Sequence, residues 1–134
     1  MHETLGDYPD ISADEVIRLG SEFVHPDFGG EAICSLGKAV DFARRGLAGI
    51  VAVRPFGCMP GNVVAAFTRE LRRRYGNIPV LNLDYDGFVD ASRDMKLAHF
   101  IWQVKERWKG DGRETFALVS PQARVGVPTQ NVRA

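Results

Sequence analysis

Two cysteines in 134 residues cannot build a disulfide framework, and a chain this rich in apolar residues does not need one. Both thiols are therefore read as reduced, whether inert or functional. No apolar run approaches the roughly 18 residues of a membrane helix, and the start His2-Glu3-Thr4 lacks the basic and apolar regions of a secretory signal. The expectation is a cytoplasmic protein with no membrane partner. Charge of one sign is missing too, since 17 lysines and arginines balance 17 aspartates and glutamates. No overall field then draws the chain to nucleic acid or to an acidic surface. The P-loop, the Gly-x-Gly-x-x-Gly fingerprint and the Gly-x-Ser-x-Gly elbow are all absent, which leaves nucleotide binding and triad hydrolysis without support. Internal repeats and low-complexity segments are also lacking, and the length suits one domain with a modest core.

What is present is helical and strand patterning in alternation. Ser12 and Glu15 form a Ser-x-x-Glu capping box, followed by an apolar stripe of Val16, Leu19, Gly20 and Phe23. This helix is expected to stop near His25-Pro26, because proline disfavours helical geometry in the residue before it. Gly29-Gly30 opens a second helix with Ile33, Leu36, Val40, Ala43 and Leu47 on its apolar side, and Gly46 supplies a left-handed C-cap behind Arg44-Arg45. The run Gly49-Ile50-Val51-Ala52-Val53 has no polar alternation, which predicts a strand covered on both faces, as in a parallel sheet.

A turn over 54–61 leads to a third helix, for which Asn62 is a candidate cap and Val64, Phe67, Leu71 and Tyr75 the apolar face. Ile78-Pro79-Val80-Leu81-Asn82-Leu83 predicts the second strand, making residues 50–83 one βαβ unit with a right-handed crossover. A last helix is expected over roughly 91–109, with Leu97, Ile101, Val104 and Trp108 facing the core. The remainder, 113–134, carries the β-prone runs Phe116-Ala117-Leu118-Val119 and Arg124-Val125-Gly126-Val127 around Ser120-Pro121. The fold class is thus α/β: a Rossmann-like βαβ module in residues 1–110, with 111–134 a hairpin or a flexible C-terminal tail. Two strands are too few to bury four amphipathic helices, so the lobe is expected to complete its sheet with a partner, with its C-terminal segment or with further chain.

Ligands of open α/β sheets bind beyond the carboxyl ends of the strands, where free N–H groups of helix N-termini attract negative charge. Cys58, in Arg54-Pro55-Phe56-Gly57-Cys58-Met59-Pro60-Gly61, is expected there. A helix N-terminus lowers a thiol pKa, and the thiolate is the reactive and metal-ligating form. The competing reading is a small buried cysteine that plugs a tight strand-to-helix turn. Cys34 lies with Lys38, Asp41 and Arg45 on the polar side of its helix, which reads as a partly exposed thiol pointing away from the sheet. Asp84 and Asp86 follow the second strand, where carboxylates cap turns or bind a metal, a hydroxyl or a basic partner. His25 and His99 read as surface histidines, Arg72-Arg73-Arg74 as a solvated helix face, and Trp102 and Trp108 as packing or interface residues.

The stretch from Gly30-Glu31 through Arg54-Pro55-Phe56-Gly57-Cys58-Met59-Pro60 to Asn82-Leu83-Asp84-Tyr85-Asp86 resembles the C-terminal lobe of the 2-hydroxyacyl-CoA dehydratase and benzoyl-CoA reductase family. The likeness is to the form found near the end of long proteins similar to the activators of those enzymes, and it spans about residues 29–108. It implies that Cys58 is one ligand of a [4Fe-4S] cluster used for low-potential electron transfer to an acyl-CoA in anaerobic metabolism, with Phe56 and Gly57 lining the cofactor. No position in this chain matches the family's other cluster cysteines, which belong to an earlier lobe, and the ATP-binding activator domain has no counterpart here. The implied cluster is therefore shared with a protein partner or a second copy, and the isolated chain is expected to hold none and to be no complete enzyme. The alternative is a non-catalytic interaction or scaffold module that keeps the fold without metal. A thiol enzyme with Cys58 as nucleophile lacks a histidine placed to activate it.

Overall fold

The computed structural model describes residues 10–87 and 91–110. Within them the chain runs α1 (Ala13–Gly20), a 3₁₀ turn (Pro26–Phe28), α2 (Ala32–Arg44), β1 (Ile50–Pro55), α3 (Met59–Arg74), β2 (Val80–Tyr85) and α4 (Arg93–Gly110). The two strands pair in parallel, from Ile50 opposite Val80 to Pro55 opposite Tyr85. This is the mixed α/β, short Rossmann-like module that the patterning predicts. The hairpin or tail expected for residues 111–134 lies outside the described residues.

At α1 only half of the capping box forms. The Ser12 hydroxyl accepts from the Glu15 N–H at 3.3 Å, while the Glu15 carboxylate turns outward to the Arg18 guanidinium. The helix ends at Gly20, earlier than expected, and His25-Pro26 instead begins the 3₁₀ turn. Ending there lets the Phe23 and Val24 N–H groups fold back onto the Gly20 carbonyl, so that Val24 is buried and Phe23 packs against the core. α1 crosses α2 through two glycines. A Cβ on Gly20 would stand 2.0 Å from the Ile33 carbonyl oxygen, and one on Gly37 would stand 2.0 Å from that of Val16. The α2 C-cap forms as expected, with the Gly46 and Leu47 N–H groups returning to the carbonyls of Ala43 and Phe42.

Leu19, Ala39, Val40, Ile50, Leu71 and Ile78 make the core, joining α1, α2 and α3 to one face of the sheet. α4 lies on the other face. Gly49 precedes Ile50, so its missing side chain points away from that core, and a Cβ there would meet Val104 and Phe100 of α4 at 2.7 and 2.8 Å. α4 packs chiefly along β2, and this corrects the expectation of a strand covered on both faces. Val51 and Val53 point to the α4 side but lie beyond the helix, and Val53 keeps 63% of its surface exposed. The α4 contact face is also corrected. Phe100, rather than Ile101, joins Val104 over the sheet, while Ile101 and Trp102 are exposed.

Candidate functional site

The two strands extend past their apolar runs because Arg54 and Asp84 occupy matching register positions. Arg54 Nε lies 2.5 Å from Asp84 Oδ1, and the same guanidinium donates to the Gly61 carbonyl of α3. Its aliphatic stem needs the space that Gly61 leaves open, since a Cβ there would lie 2.4 Å from Arg54 Cδ. The Asp84 carboxyl consequently sits below its ordinary pKa, chiefly through the hydrogen bond from Arg54, which outweighs the opposing effect of desolvation, with smaller help from the charges of Arg54 and Lys96. Asp84 is therefore held as the ion-pair partner of Arg54 rather than as a turn cap.

The connection from β1 to α3 is shorter than the expected turn over 54–61. Pro55 ends the strand, and its carbonyl accepts from the Cys58 N–H at 3.2 Å, which closes a tight turn over Phe56 and Gly57. Gly57 has φ 73°, the left-handed conformation such a turn requires at that place. Cys58 is the N-cap of α3, which starts at Met59. Asn62, the expected cap, lies inside the first turn and donates its N–H to the Cys58 carbonyl at 2.9 Å. The earlier start follows from Pro60, whose fixed φ suits a first helical turn and whose missing N–H leaves nothing unsatisfied there.

Cys58 is half-buried and lines a cavity of about 310 Å³ between α2, β1 and α3. Glu31, the cap of α2, and Ser35 and Lys38 within it line the cavity together with Arg54, and Gly30 approaches Pro60, so the N-terminus of α2 lies at the Cys58 edge. The thiol is neither sealed in apolar packing nor fully on the surface. Its chain neighbours Phe56 and Met59 are exposed, keeping 73% and 58% of their surface.

Cys34 is exposed on α2 and outside the cavity lining, in keeping with its placement from the helical pattern. Its neighbour on that stripe is corrected, because Asp41 is buried and held by Arg45 at 2.7 Å. Lys38 reaches Asp10. His25 is an exposed cap of the 3₁₀ turn, and His99 stacks on Trp102 on the outer side of α4. In the arginine run, Arg73 and Arg74 both pair with Glu70, which lowers its carboxyl to about 2, and Arg74 also covers the Phe23 ring.

Among the described residues no three His, Cys, Asp or Glu side chains gather as a metal-holding group. One thiol does not make the four-ligand set that an iron–sulfur cluster takes, so these residues fit a cluster only as a contributor to a shared site. No described helix is long and apolar enough to cross a membrane. Sequence reasoning overlooked the role of Arg54 and the exposure of Phe56 and Met59. A signal for the first was available: an arginine and an aspartate each directly follow a strand's apolar run, which in parallel register makes them partners. Compared with known proteins, the chain matches no family model, no curated protein and no solved structure.

Proposed function

We propose that this chain is a partner-docking lobe in which Cys58 contributes one thiolate to a [4Fe-4S] site completed by another polypeptide, in low-potential electron transfer to an acyl-CoA. The observation that carries this reading is the position of the thiol: half-buried just past the carboxyl end of β1, lining a cavity between α2, β1 and α3, with the exposed Phe56 and Met59 close to it in the chain. Exposed apolar groups rimmed by polar ones are what protein interfaces cover. The resemblance of the Pro-Phe-Gly-Cys loop and the later Asp-Tyr-Asp to the dehydratase cluster lobe supplies the identity of the group. In this arrangement the chain's own part is mechanical. The Gly57 turn and the Arg54–Asp84 pair hold the Cys58 backbone still, and the exposed Phe56 and Met59 give the partner apolar surface to cover.

A second reading is favoured by one specific observation, that no three metal-type donors gather at Cys58 among the described residues. On that reading the lobe docks the same kind of partner without metal, as a scaffold. Anaerobic reconstitution of the full chain separates the two, with ferrous iron, sulfide and glutathione added so that glutathione stands in for the missing thiolates. The wild type is expected to retain iron and acid-labile sulfide that Cys58→Ser does not, with both proteins equally folded by circular dichroism. Equal, negligible iron and sulfide in the two proteins removes the redox reading and leaves the scaffold.

A further inference from the structure

The outer side of α4 carries an apolar face that no described residue covers. Phe100 and Val104 look inward to Gly49, Arg93 to the Tyr85 ring and Arg107 to the Gly76 carbonyl. Away from that row, Met95 and Trp102 keep 70% and 58% of their surface exposed, and Ala98, Ile101 and Lys105 are exposed as well. Met95, Ala98, Trp102 and Lys105 follow one another at steps of three and four, the spacing of a seam that packs against another helix. Trp102 is held in place beforehand. The His99 ring stacks on it with centroids 5.9 Å apart, and His99 Nε2 lies 2.7 Å from Gln103 Nε2. A tryptophan fixed in this way loses little freedom on contact, and residues of its kind carry much of the strength of interfaces.

The charges at the two ends of this face indicate what covers it. Asp94 stands near its amino end and Lys105 near its carboxyl end, about 16 Å apart along the helix. Both are exposed and neither pairs with a described residue, whereas Lys109 is answered by Glu106. An acid at one end and a base at the other make the face its own complement. Two copies of α4 laid antiparallel, about a two-fold axis level with residues 99–100, set Asp94 of each opposite Lys105 of the other. The same axis brings each Trp102 ring over Ala98 of the other copy, where the small side chain leaves room for it. A parallel pair would instead set Asp94 against Asp94 and Lys105 against Lys105, which opposes association. A contact in which one residue meets a second, and the second meets the first, is what a two-fold dimer requires.

We propose that the outer face of α4 is a homodimer interface, in which Met95, Ala98, Ile101 and Trp102 pack antiparallel on the same residues of a second copy and two Asp94–Lys105 pairs close the ends. The paired helices form one layer between two sheets, and the uncovered Val51 and Val53, which lie on the α4 side of the sheet, turn toward the second copy. This inference stands apart from the role of Cys58. α4 lies across the sheet from the cavity between α2, β1 and α3, which the dimer leaves open.

Sedimentation equilibrium of the full chain tests it. The wild type is expected to pass from one to two chain masses as its concentration rises, with the Trp102 indole N–H signal shifting in step in nuclear magnetic resonance spectra. Asp94→Lys and Lys105→Asp each set like charges together at both ends, and each is expected to weaken association at least about tenfold. Combining the two restores it, because the exchanged charges again meet their opposites. Should the double variant fail to fold, a mixed labelled and unlabelled wild-type sample decides the matter, with contacts expected between Trp102 of one copy and Ala98 of the other. A wild type that stays monomeric up to about 1 mM overturns the proposal. So does a dimer that the single reversals leave unchanged, that the folded double variant does not recover, or whose mixed sample shows no contact between Trp102 and Ala98.

Discussion

Arg54 Nε meets the Asp84 carboxylate at 2.5 Å in a pair that is partly open to solvent. A pair of this kind contributes little to global stability, and its importance is geometric: it ties the ends of two strands to the first turn of α3 and so sets the orientation of the Cys58 turn. The lowered Asp84 pKa gives a direct readout. Because the folded value lies below the ordinary one, the favourable interaction is complete above the ordinary carboxylate range. It is lost as pH falls through the lower, folded value. In Arg54→Ala the Asp84 carboxyl is expected to titrate higher, near its ordinary 3.8, followed by its side-chain carbon shift against pH. Glu70, held at about 2 by Arg73 and Arg74, serves as the unchanged reference. A titration of Asp84 that does not move in the variant contradicts the role assigned to Arg54.

Helix pairs approach as closely as their smallest residues allow, and α1 and α2 meet at Gly20 and Gly37 with backbone almost against backbone. Gly37→Ala places a methyl group 2.0 Å from the Val16 carbonyl oxygen, where no side chain can yield because the obstacle is main chain. The helices must separate, at a cost of about 1–3 kcal/mol, even though alanine is the better helix former. Urea denaturation of Gly37→Ala against the wild type measures this, and an unchanged or raised midpoint refutes it. The stripe of Val16, Leu19 and Gly20 announced this packing in the sequence, but the end of α1 was not legible. The proline at position 26 marked a limit, whereas the true end is decided by Phe23 and Val24 folding back toward the core. In the same way α3 began before its expected cap, because Pro60 tolerates the first helical turn better than its reputation as a breaker suggests.

For the molecule as a whole, one core joins α1, α2, α3 and the inner face of the sheet, and Ile78 lies fully buried within it although it belongs to the connection before β2. Ile78→Ala is expected to lower stability by about 2–5 kcal/mol. One cooperative transition should report that loss equally from α1 and from β2. Separate transitions for the helical pair and the strands, seen by probes in each, would show two folding units. The opposite face of the sheet is poorer: Val51 and Val53 are uncovered, and Trp102 on α4 keeps 58% of its surface exposed. Helices that outnumber the strands able to cover them leave apolar groups outward, and the shortage of strands was already plain from the counts of apolar runs.

The sequence by itself determined the alternation of helices and strands, the parallel βαβ unit, the Gly46 C-cap and the placement of Cys58 beyond a strand's carboxyl end. Each of these follows from local periodicity or from residues whose backbone preferences act within a few positions. Only the tertiary structure decided which face of β1 is covered, that Asp84 belongs to Arg54, and that Phe100 rather than Ile101 meets the sheet. These are relations between residues far apart in the chain. They are set by how helices of fixed width fit over the two described strands, and no local pattern encodes that fit.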